Sequence, residues 1–420
     1  MPDSREDHEI IHVLGSLSPQ AEEHLASVLG VLQSWGYAVR VIGPLTRNGR
    51  RLIASQGVPT ALTPEPSGES ATARWSDARA LAQILREARP MLIHAHGFRA
   101  TLAALLARRS APAHAIPVVA SPHLQPHRIR EDSRFGLRRR VSRWLLDRSD
   151  AIVVATDAQR VDLAELDGGA GERAEIVPYA RPAGAQPDSL DLGRRRSLLG
   201  ITQSAVAVGC VVDHLSLEAL TVFLDAGASL CMDYPSLEFA LIGARLDRDR
   251  YQDLAHERGL LGATVFVDPA ERFRRAISAL NVLVTPQRGW PSGLLALQAL
   301  ESGVGVVAIE TGEVAEMLIG SPHVTIAPDT GAAALGNAII RRLRTAAALM
   351  EPAEDAAPEA PLAASFLVSK DFYDIEASWA TPAALDADQQ DPPRGVLSDF
   401  HPTRAARALI AVYQDLLDEA

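Results

Sequence analysis

The sequence predicts an α/β protein built from two doubly wound parallel sheets. The first reason is the alternation between residues 281 and 312, where an apolar run ends in a Pro/Gly turn and a Ser-Gly pair opens a helical pattern. A glycine stop then leads into a second apolar run, so this stretch is a strand–helix–strand unit typical of parallel sheets. The second reason is length, because 420 residues suffice for two such domains with separate cores.

Composition limits the class of protein. The chain is 47% hydrophobic and 22% charged, which is ordinary for a soluble protein, and it contains no apolar run of the roughly 20 residues that span a bilayer. The start lacks a signal-peptide pattern, and two cysteines, Cys210 and Cys231, suit a reducing compartment. We therefore expect a cytoplasmic protein. A net charge of −11 argues against nucleic-acid binding.

The first predicted domain covers residues 1–182. Its predicted elements are strands at 9–15, 39–43, 91–97, 116–123, 151–156 and 175–179, and a helix at 22–35 that follows a loop at 16–21. Polar residues at the carboxyl end of a strand in an open α/β sheet face the ligand crevice. His96 and His123 hold such positions, although a histidine at a strand end is also commonly a purely structural group.

An arginine-rich segment precedes the strand at residue 151. Between Arg134 and Arg148 basic residues alternate with Trp144 and aliphatic residues, which predicts an amphipathic helix. Such a helix can lie on the anionic inner face of a membrane, or it can pack its apolar face on the domain and leave its basic face in solvent. Both interpretations stay open from the sequence.

The remainder of the chain divides by composition. Residues 183–196 form a predicted linker rich in Pro, Ala and Gly, and residues 197–347 form the second domain. Residues 348–400 form an acidic insert rich in Ala and Pro, and residues 401–420 form a final amphipathic helix.

The unit at residues 281–316 resembles the donor-site signature of the family-4 glycosyltransferases. In that family a Pro-Ser turn leads to Glu-x-Phe-Gly, and a second Glu follows eight residues after the first. Here Trp290 stands at the first Glu and Gln298 at the second, Ser292 replaces Phe, and Gly293 remains. The resemblance implies the GT-B fold, with two facing Rossmann-like domains, a cleft between them, and a C-terminal helix that crosses back to the first domain.

The same resemblance assigns the other candidate site residues. It implies a catalytic role for His123, which matches the histidine that faces the transferred sugar. It implies donor binding by Gly209, Cys210, Trp290, Gly293, Leu294, Gln298 and Glu316, and an acceptor-side cleft that includes Gln20 and His96. The amides of residues 292–294 would open a helix, which favours a bound phosphate.

Four donor elements depart from the family pattern. The loop after the first strand has no Gly-Gly pair, and Gly209 is followed by Cys210 in place of Arg. No Lys or Arg occurs from Cys210 to Asp233, the Glu pair is lost, and Glu313 replaces a glycine. Loss of one preorganised donor to a developing charge costs about 3–4 kcal/mol, so the changes predict impaired turnover.

Three functions follow as hypotheses. The first is a degenerate family-4 protein, a pseudoenzyme that works with a partner glycosyltransferase in cell-envelope or exopolysaccharide synthesis. The second is an active retaining hexosyltransferase that takes a sugar from a nucleotide-sugar donor. The third is a nucleotide-sugar epimerase on the same fold. None of them requires a metal or a cofactor beyond the nucleotide sugar, and the changed donor elements favour the first.

Overall fold

The protein is described by a computed structural model. It describes residues 9–15, 17–61, 81–84, 87–110, 116–124, 135–181, 190–243, 247–268, 273–348 and 397–418. Arg134, the first half of the predicted linker and nearly all of the acidic insert lie outside these ranges. Within them, no helix is long and apolar enough to cross a membrane.

Two compact units account for the described residues. The first comprises Met1–Ala185, Gly289–Leu295 and Gly395–Ala420, and the second comprises Gln186–Arg288 and Ala296–Arg394. Each unit has its own sheet and its own hydrophobic core.

The first unit carries a seven-stranded sheet. Its strands are β1 (Glu9–Leu14), β2 (Ala38–Ile42), β3 (Thr60–Ala61), β4 (Leu92–His96), β5 (Val118–Ser121), β6 (Ala151–Val154) and β7 (Ala174–Ile176). Its helices are α1 (Pro19–Ser34), α2 (Arg47–Ser55), α3 (Phe98–Ser110), α4 (Phe135–Asp147), α5 (Asp157–Leu166) and α6 (Gly168–Glu172). The strand order is β3-β2-β1-β4-β5-β6-β7 and every pairing is parallel.

The second unit carries a six-stranded sheet. Its strands are β8 (Val206–Val211), β9 (Leu237–Ile242), β10 (Thr264–Val267), β11 (Val282–Thr285), β12 (Gly305–Ile309) and β13 (Val324–Ala327). Its helices are α7 (Leu192–Leu199), α8 (Leu217–Asp233), α9 (Arg248–Glu257), α10 (Phe273–Ile277), α11 (Ser292–Glu301, whose first turn belongs to the first unit), α12 (Glu313–Leu318) and α13 (Ala332–Ala348). Short 3₁₀ turns occur at Leu261–Ala263 and Ser398–Phe400.

Both sheets are doubly wound. The second has the order β10-β9-β8-β11-β12-β13, again with parallel pairings throughout. In each sheet the order reverses beside the first strand of the unit, between β1 and β4 and between β8 and β11. The prediction of two doubly wound parallel sheets is confirmed. Ligands of such sheets bind at the carboxyl ends of the strands beside this reversal.

The last helix, α14 (Pro402–Asp418), belongs to the first unit. Its buried face includes Leu409 and Tyr413, which share a core with Leu25 and Leu29 of α1. Because apolar residues recur along one face of α14, packing against α1 removes that face from water.

The arginine-rich helix α4 buries its apolar side within the first unit. Leu145 and Leu146 are core residues, and the ring of Trp144 lies 5.5 Å and 4.4 Å from the guanidinium carbons of Arg109 and Arg148. Part of the apolar side of α4 is therefore packed in the first unit, while Val141 on the same helix is 41% exposed. The exposed side of α4 retains cations, including Arg140.

Candidate active site

A small pocket lies at the carboxyl ends of β1, β4 and β5 in the first unit. Its interior is about 60 Å³, which is room for about four water molecules at ~15 Å³ each. None of its lining residues is Asp, Glu, Lys or Arg. The polar ones are His12, His24, His94, His96, Ser121, His123, Gln159, Tyr179 and Trp290. The pocket is thus polar without formal charge at neutral pH.

Three buried histidines form its floor. His94 and His96 alternate along β4 and therefore share one face of the sheet, and His12 of β1 pairs in register with His94. Nδ1 of His12 lies 3.1 Å from Nε2 of His96, and the rings of His94 and His96 stack with centroids 4.3 Å apart. The strand order brings together residues that are 84 positions apart in the sequence.

His94 is held by two hydroxyl groups. Its Nδ1 lies 2.6 Å from the Tyr413 hydroxyl of α14, and its Nε2 lies 2.8 Å from Oγ of Ser121. Both hydroxyls can donate or accept, so either tautomer of His94 is satisfied. Another hydroxyl in this pocket is also hydrogen-bonded, because Nε2 of Gln159 donates to the Tyr179 hydroxyl at 2.5 Å.

Burial keeps these imidazoles neutral. Loss of hydration lowers the pKa of His12 and of His123 to about 3, and that of His24 to about 4. The pKa values of His94 and His96 are also lowered well below the ordinary value, first by burial and then by neighbouring histidines. At neutral pH each ring therefore has one N–H and one lone pair.

His123 follows β5 directly and has a left-handed backbone, with φ of +50°. Such a conformation is uncommon for a residue with a side chain, and it turns the ring into the pocket. The indole of Trp290 stacks on this ring with centroids 4.1 Å apart and planes 29° apart. The Trp290 amide donates to the carbonyl of Leu124 at 3.2 Å, and its side chain is only 5% exposed. Trp290 is thus fixed over the predicted catalytic histidine.

The remaining predicted site residues lie in different parts of the structure. Gly293 and Leu294 lie in the first turn of α11, as the helix prediction required, and Gln298 is buried further along that helix. Glu316 is exposed on α12. Gln20 is buried in the first turn of α1 but does not line the pocket, whereas His96 does.

Gly209 and Cys210 occupy core positions. They lie inside β8, before its carboxyl end, and Cys210 is fully buried. A Cβ at Gly209 would lie 2.8 Å from the methyl carbons of Leu280, so this glycine is explained by packing. Burial also raises the pKa of the Cys210 thiol. Their predicted part in donor binding stays a prediction, and the Cys210 side chain packs in the core of the second unit.

The loop that follows β8 holds its polar groups internally. Oε1 of Gln287 accepts the Ser216 amide at 2.7 Å, and Nε2 of Gln287 donates to the His214 carbonyl at 2.9 Å. Oγ of Ser216 caps α8 by accepting the Ala219 amide at 3.1 Å. Glu218 adds a carboxylate in the first turn of α8. This loop offers negative charge where the family pattern offers cations.

The nitrogens of three buried histidines lie close enough together to be considered as metal ligands. One ring nitrogen from each of His12, His94 and His96 lies within 4.8 Å of the others, a cluster that sequence reasoning missed. A metal ion lies close to the plane of every imidazole that binds it, but the His94 and His96 planes are only 23° apart with rings stacked. The observed ring orientations therefore do not direct their lone pairs to one point.

Comparison with known proteins agrees with this architecture. Residues 21–180 match the model of the glycosyl transferase 4-like domain, and residues 203–345 match that of the glycosyl transferases group 1 domain. Together these matches cover well over half of the chain. The fold defines a GT-B protein, and the chain belongs to the family-4-like, group 1 glycosyltransferase family.

Individual relatives are distant. The chain is 29% identical over 191 residues to the D-inositol 3-phosphate glycosyltransferase of Corynebacterium urealyticum, covering 42% of this chain and 44% of that protein. It is 28% identical over 197 residues to the protein of the same name from Corynebacterium jeikeium, covering 43% and 46%. The matched segment thus spans less than half the length of these curated relatives.

Solved structures resemble the whole chain. HepE from Anabaena, in complex with UDP and glucose, superposes with a TM-score of 0.66 at 15% identity, covering 96% of this chain and 99% of that one. Sucrose-phosphate synthase from Thermosynechococcus elongatus gives 0.65 at 16% identity, covering 98% and 100%. At these identities the likeness establishes the fold alone.

Proposed function

We propose that this protein is a catalytically impaired group 1 glycosyltransferase that acts beside a partner glycosyltransferase in cell-envelope or exopolysaccharide synthesis. The observation that carries the proposal is the position of Trp290. At the place that resembles the family's first donor carboxylate, a buried indole stacks on His123 at 4.1 Å. An indole can donate one hydrogen bond but cannot accept those of sugar hydroxyls.

The size and charge of the pocket support impaired donor binding. Pockets for small-molecule ligands commonly measure about 300–1,000 Å³, whereas this one measures about 60 Å³. Its lining residues carry no acidic or basic side chain other than neutral histidine. A charged, bulky nucleotide sugar therefore finds neither room nor counter-charge beside His123.

The loop after β8 supports the same conclusion. No Lys or Arg occurs between Cys210 and Asp233. The Ser216 and Ala219 amides at the start of α8 already bond within the protein. A leaving diphosphate develops negative charge, and stabilisation of that charge is usually the largest catalytic contribution. This segment supplies little of it.

A role beside a partner is supported by contrast with the intact cores. The hydrophobic cores of both units contain fully buried residues, such as Leu29 in the first and Phe223 in the second. Because most core substitutions destabilise by about 0.5–3 kcal/mol, an unused protein would also have accumulated damage there. The exposed basic side of α4, with Arg140 and Arg143, is the surface we propose for an acidic partner.

A second candidate is an active retaining glycosyltransferase. His123 is kept at a strand end with a left-handed backbone, a conformation that concentrates at functional sites. The curated relatives are named glycosyltransferases, and HepE was solved with UDP and glucose. These observations favour retention of some donor affinity.

Calorimetric titration separates the two candidates. The purified chain is titrated with a panel of nucleotides and nucleotide sugars, beside Trp290→Ala and the control Trp35→Ala, which changes an exposed indole. We expect no micromolar binding by the native chain or the control. A micromolar dissociation constant for any common nucleotide sugar, with sugar transfer abolished by His123→Ala, would establish the active enzyme.

Co-expression tests the partner. The chain is produced with the glycosyltransferases encoded beside it, followed by pull-down and sugar-transfer assays with and without this protein. The double variant Arg140→Glu, Arg143→Glu should lose at least tenfold in capture, while Arg407→Glu, an exposed change on α14, should not. Undiminished capture by the double variant would exclude the α4 surface as the partner-binding site. If the native chain binds anionic vesicles in a parallel assay but captures no glycosyltransferase, that surface is assigned to a membrane.

A further inference from the structure

Three histidines of the first unit form an in-line chain. Nδ1 of His12 lies 3.1 Å from Nε2 of His96, and Nδ1 of His96 lies 3.3 Å from Nε2 of His123. Ring centroids are 5.4 Å and 5.6 Å apart, with planes 21° and 15° apart. The rings are therefore nearly parallel in orientation but too far apart to stack face to face.

The distances show how neighbouring rings meet. A five-membered ring with bonds of about 1.35 Å has its atoms about 1.15 Å from its centre. Two imidazoles joined nitrogen to nitrogen along one line thus have centroids about 2.3 Å farther apart than the bonded nitrogens. Both pairs show that difference. His12, His96 and His123 are consequently joined edge to edge, which is the geometry of N–H···N hydrogen bonds.

Neutral rings impose one direction on such a chain. Each ring has a single N–H, so if His12 donates to His96, then His96 must donate to His123. All three are then Nδ1–H tautomers. In the opposite direction all three are Nε2–H tautomers.

The environment of His12, the buried end of the row of histidines, selects the direction of the N–H···N hydrogen bonds. His12 is fully buried, and within the described ranges its Nε2 makes no hydrogen bond. The Nδ1–H direction leaves a lone pair at this nitrogen, whereas the opposite direction leaves an N–H. Orphaned buried N–H groups are rarer in proteins than under-used acceptors, so the Nδ1–H direction is preferred.

We propose that His12 and His96 are positioning residues that hold His123 as its Nδ1–H tautomer, so that His123 offers its ligand a hydrogen-bond donor and not a base. The hydrogen bond from His96 occupies Nε2 of His123. Among the described residues, Nδ1 of His123 has no hydrogen-bond partner. The matching ligand group is an uncharged or anionic oxygen. The assignment holds whether or not the protein transfers sugar.

Selective ¹⁵N labelling of histidine gives the decisive measurement. Long-range ¹H–¹⁵N spectra of the full chain distinguish protonated from unprotonated ring nitrogens, and single histidine variants assign the signals. We expect Nδ1–H for His12, His96 and His123. An Nε2–H signal for His123 at neutral pH would overturn the proposal.

Substitution at His12 tests the positioning role. His12→Asn places an amide N–H near the original Nδ1–H, so His123 should keep its tautomer. His12→Asp replaces the donor with a carboxylate that can only accept, so His96 should donate from Nε2 and the Nε2–H form of His123 should become the major one. An unchanged His123 signal in a folded His12→Asp variant would show that His12 does not set the tautomer, and if that variant does not fold, the native spectrum still decides.

Zinc addition tests the competing use of these rings. We expect no shift of the His12, His94 and His96 signals on titration with Zn²⁺ and no rise in melting temperature. Joint shifts of these signals with a higher melting temperature would establish a metal site and overturn the hydrogen-bonded chain.

Discussion

The two units bury their polar groups in different ways. The first gathers neutral histidines that bond to one another and to hydroxyls, whereas the second buries arginines that bond to backbone carbonyls. An imidazole can exchange donor and acceptor roles, but a guanidinium is always a donor and always charged. The first arrangement can therefore respond to a ligand, and the second can only brace the fold.

The largest expected effect is at Arg196 in the second unit. This fully buried side chain donates to four acceptors at 2.7–3.0 Å: the carbonyls of Ala279, Gln203 and Ala205 and Oδ1 of Asn281. Arg196→Met removes the donor to the three carbonyls, while Oδ1 of Asn281 still accepts the Ala207 amide at 2.8 Å. The substitution should lower the free energy of unfolding by about 3 kcal/mol or more. Urea denaturation measures the change.

Arg194 provides the matched control for that substitution. It lies two residues earlier on α7 with an exposed side chain. Arg194→Met should change stability by less than about 0.5 kcal/mol. Equal losses in the two variants would show that burial of the guanidinium does not brace this unit.

Acid should act on the first unit through its neutral histidines. Burial lowers the pKa of His24 to about 4, while the unfolded chain keeps a value of about 6.5. The stabilisation is complete above pH 6.5 and is lost as pH falls from 6.5 towards 4, because the unfolded state takes up the proton first. This one residue should contribute a loss of roughly 2 kcal/mol at pH 5.

Urea denaturation at pH 7.5 and pH 5.0 checks this effect. His24→Asn keeps an acceptor for the Ala180 amide but does not titrate, so it should lose roughly 2 kcal/mol less than the native chain on acidification. His256→Asn changes an exposed histidine of α9 and should follow the native chain. An identical acid loss in all three proteins would contradict the prediction.

The smallest expected effect is at Tyr413. Tyr413→Phe removes the hydroxyl that lies 2.6 Å from Nδ1 of His94 and should cost about 1–2 kcal/mol, since a buried polar nitrogen loses its partner. Thermal unfolding measures it, with Tyr37→Phe as a control on a partly buried tyrosine. If the Tyr413 variant melts with the native protein, the polar cluster contributes nothing to this unit's stability.

The sequence predicted the fold better than the site. In the first unit, apolar runs located most strands to within two residues, as at β1 and β6, because burial on both faces leaves a continuous hydrophobic signal. The start of α1 was placed too late. Pro19 begins the helix and Ser18 caps it, so a proline taken as a loop residue occupies the first helical position.

The pocket was harder to predict for a physical reason. His94-x-His96 alternation was visible and placed both rings on one face, but the pairing of β1 with β4 that adds His12 is a tertiary fact. Tyr413 reaches His94 across 319 residues of sequence. His24 and Gln159 sit within helical patterns that look like ordinary surface or core positions, and no local signal separates them. Of the residues that line the pocket, the sequence analysis named His96, His123 and Trp290 as candidates.

The docking of α14 has a consequence for synthesis. Residues 397–418 complete the core of the first unit, although more than 200 residues of the second unit and its neighbours are made in between. At about 5–20 residues per second, that interval lasts roughly 10–40 s. During that time Leu29 and Val41 lack Leu409 and Tyr413 as partners, because those residues have not yet been synthesised. The first unit is therefore completed only after most of the second has been synthesised, and nascent chains should expose the α1 face to chaperones until α14 is made.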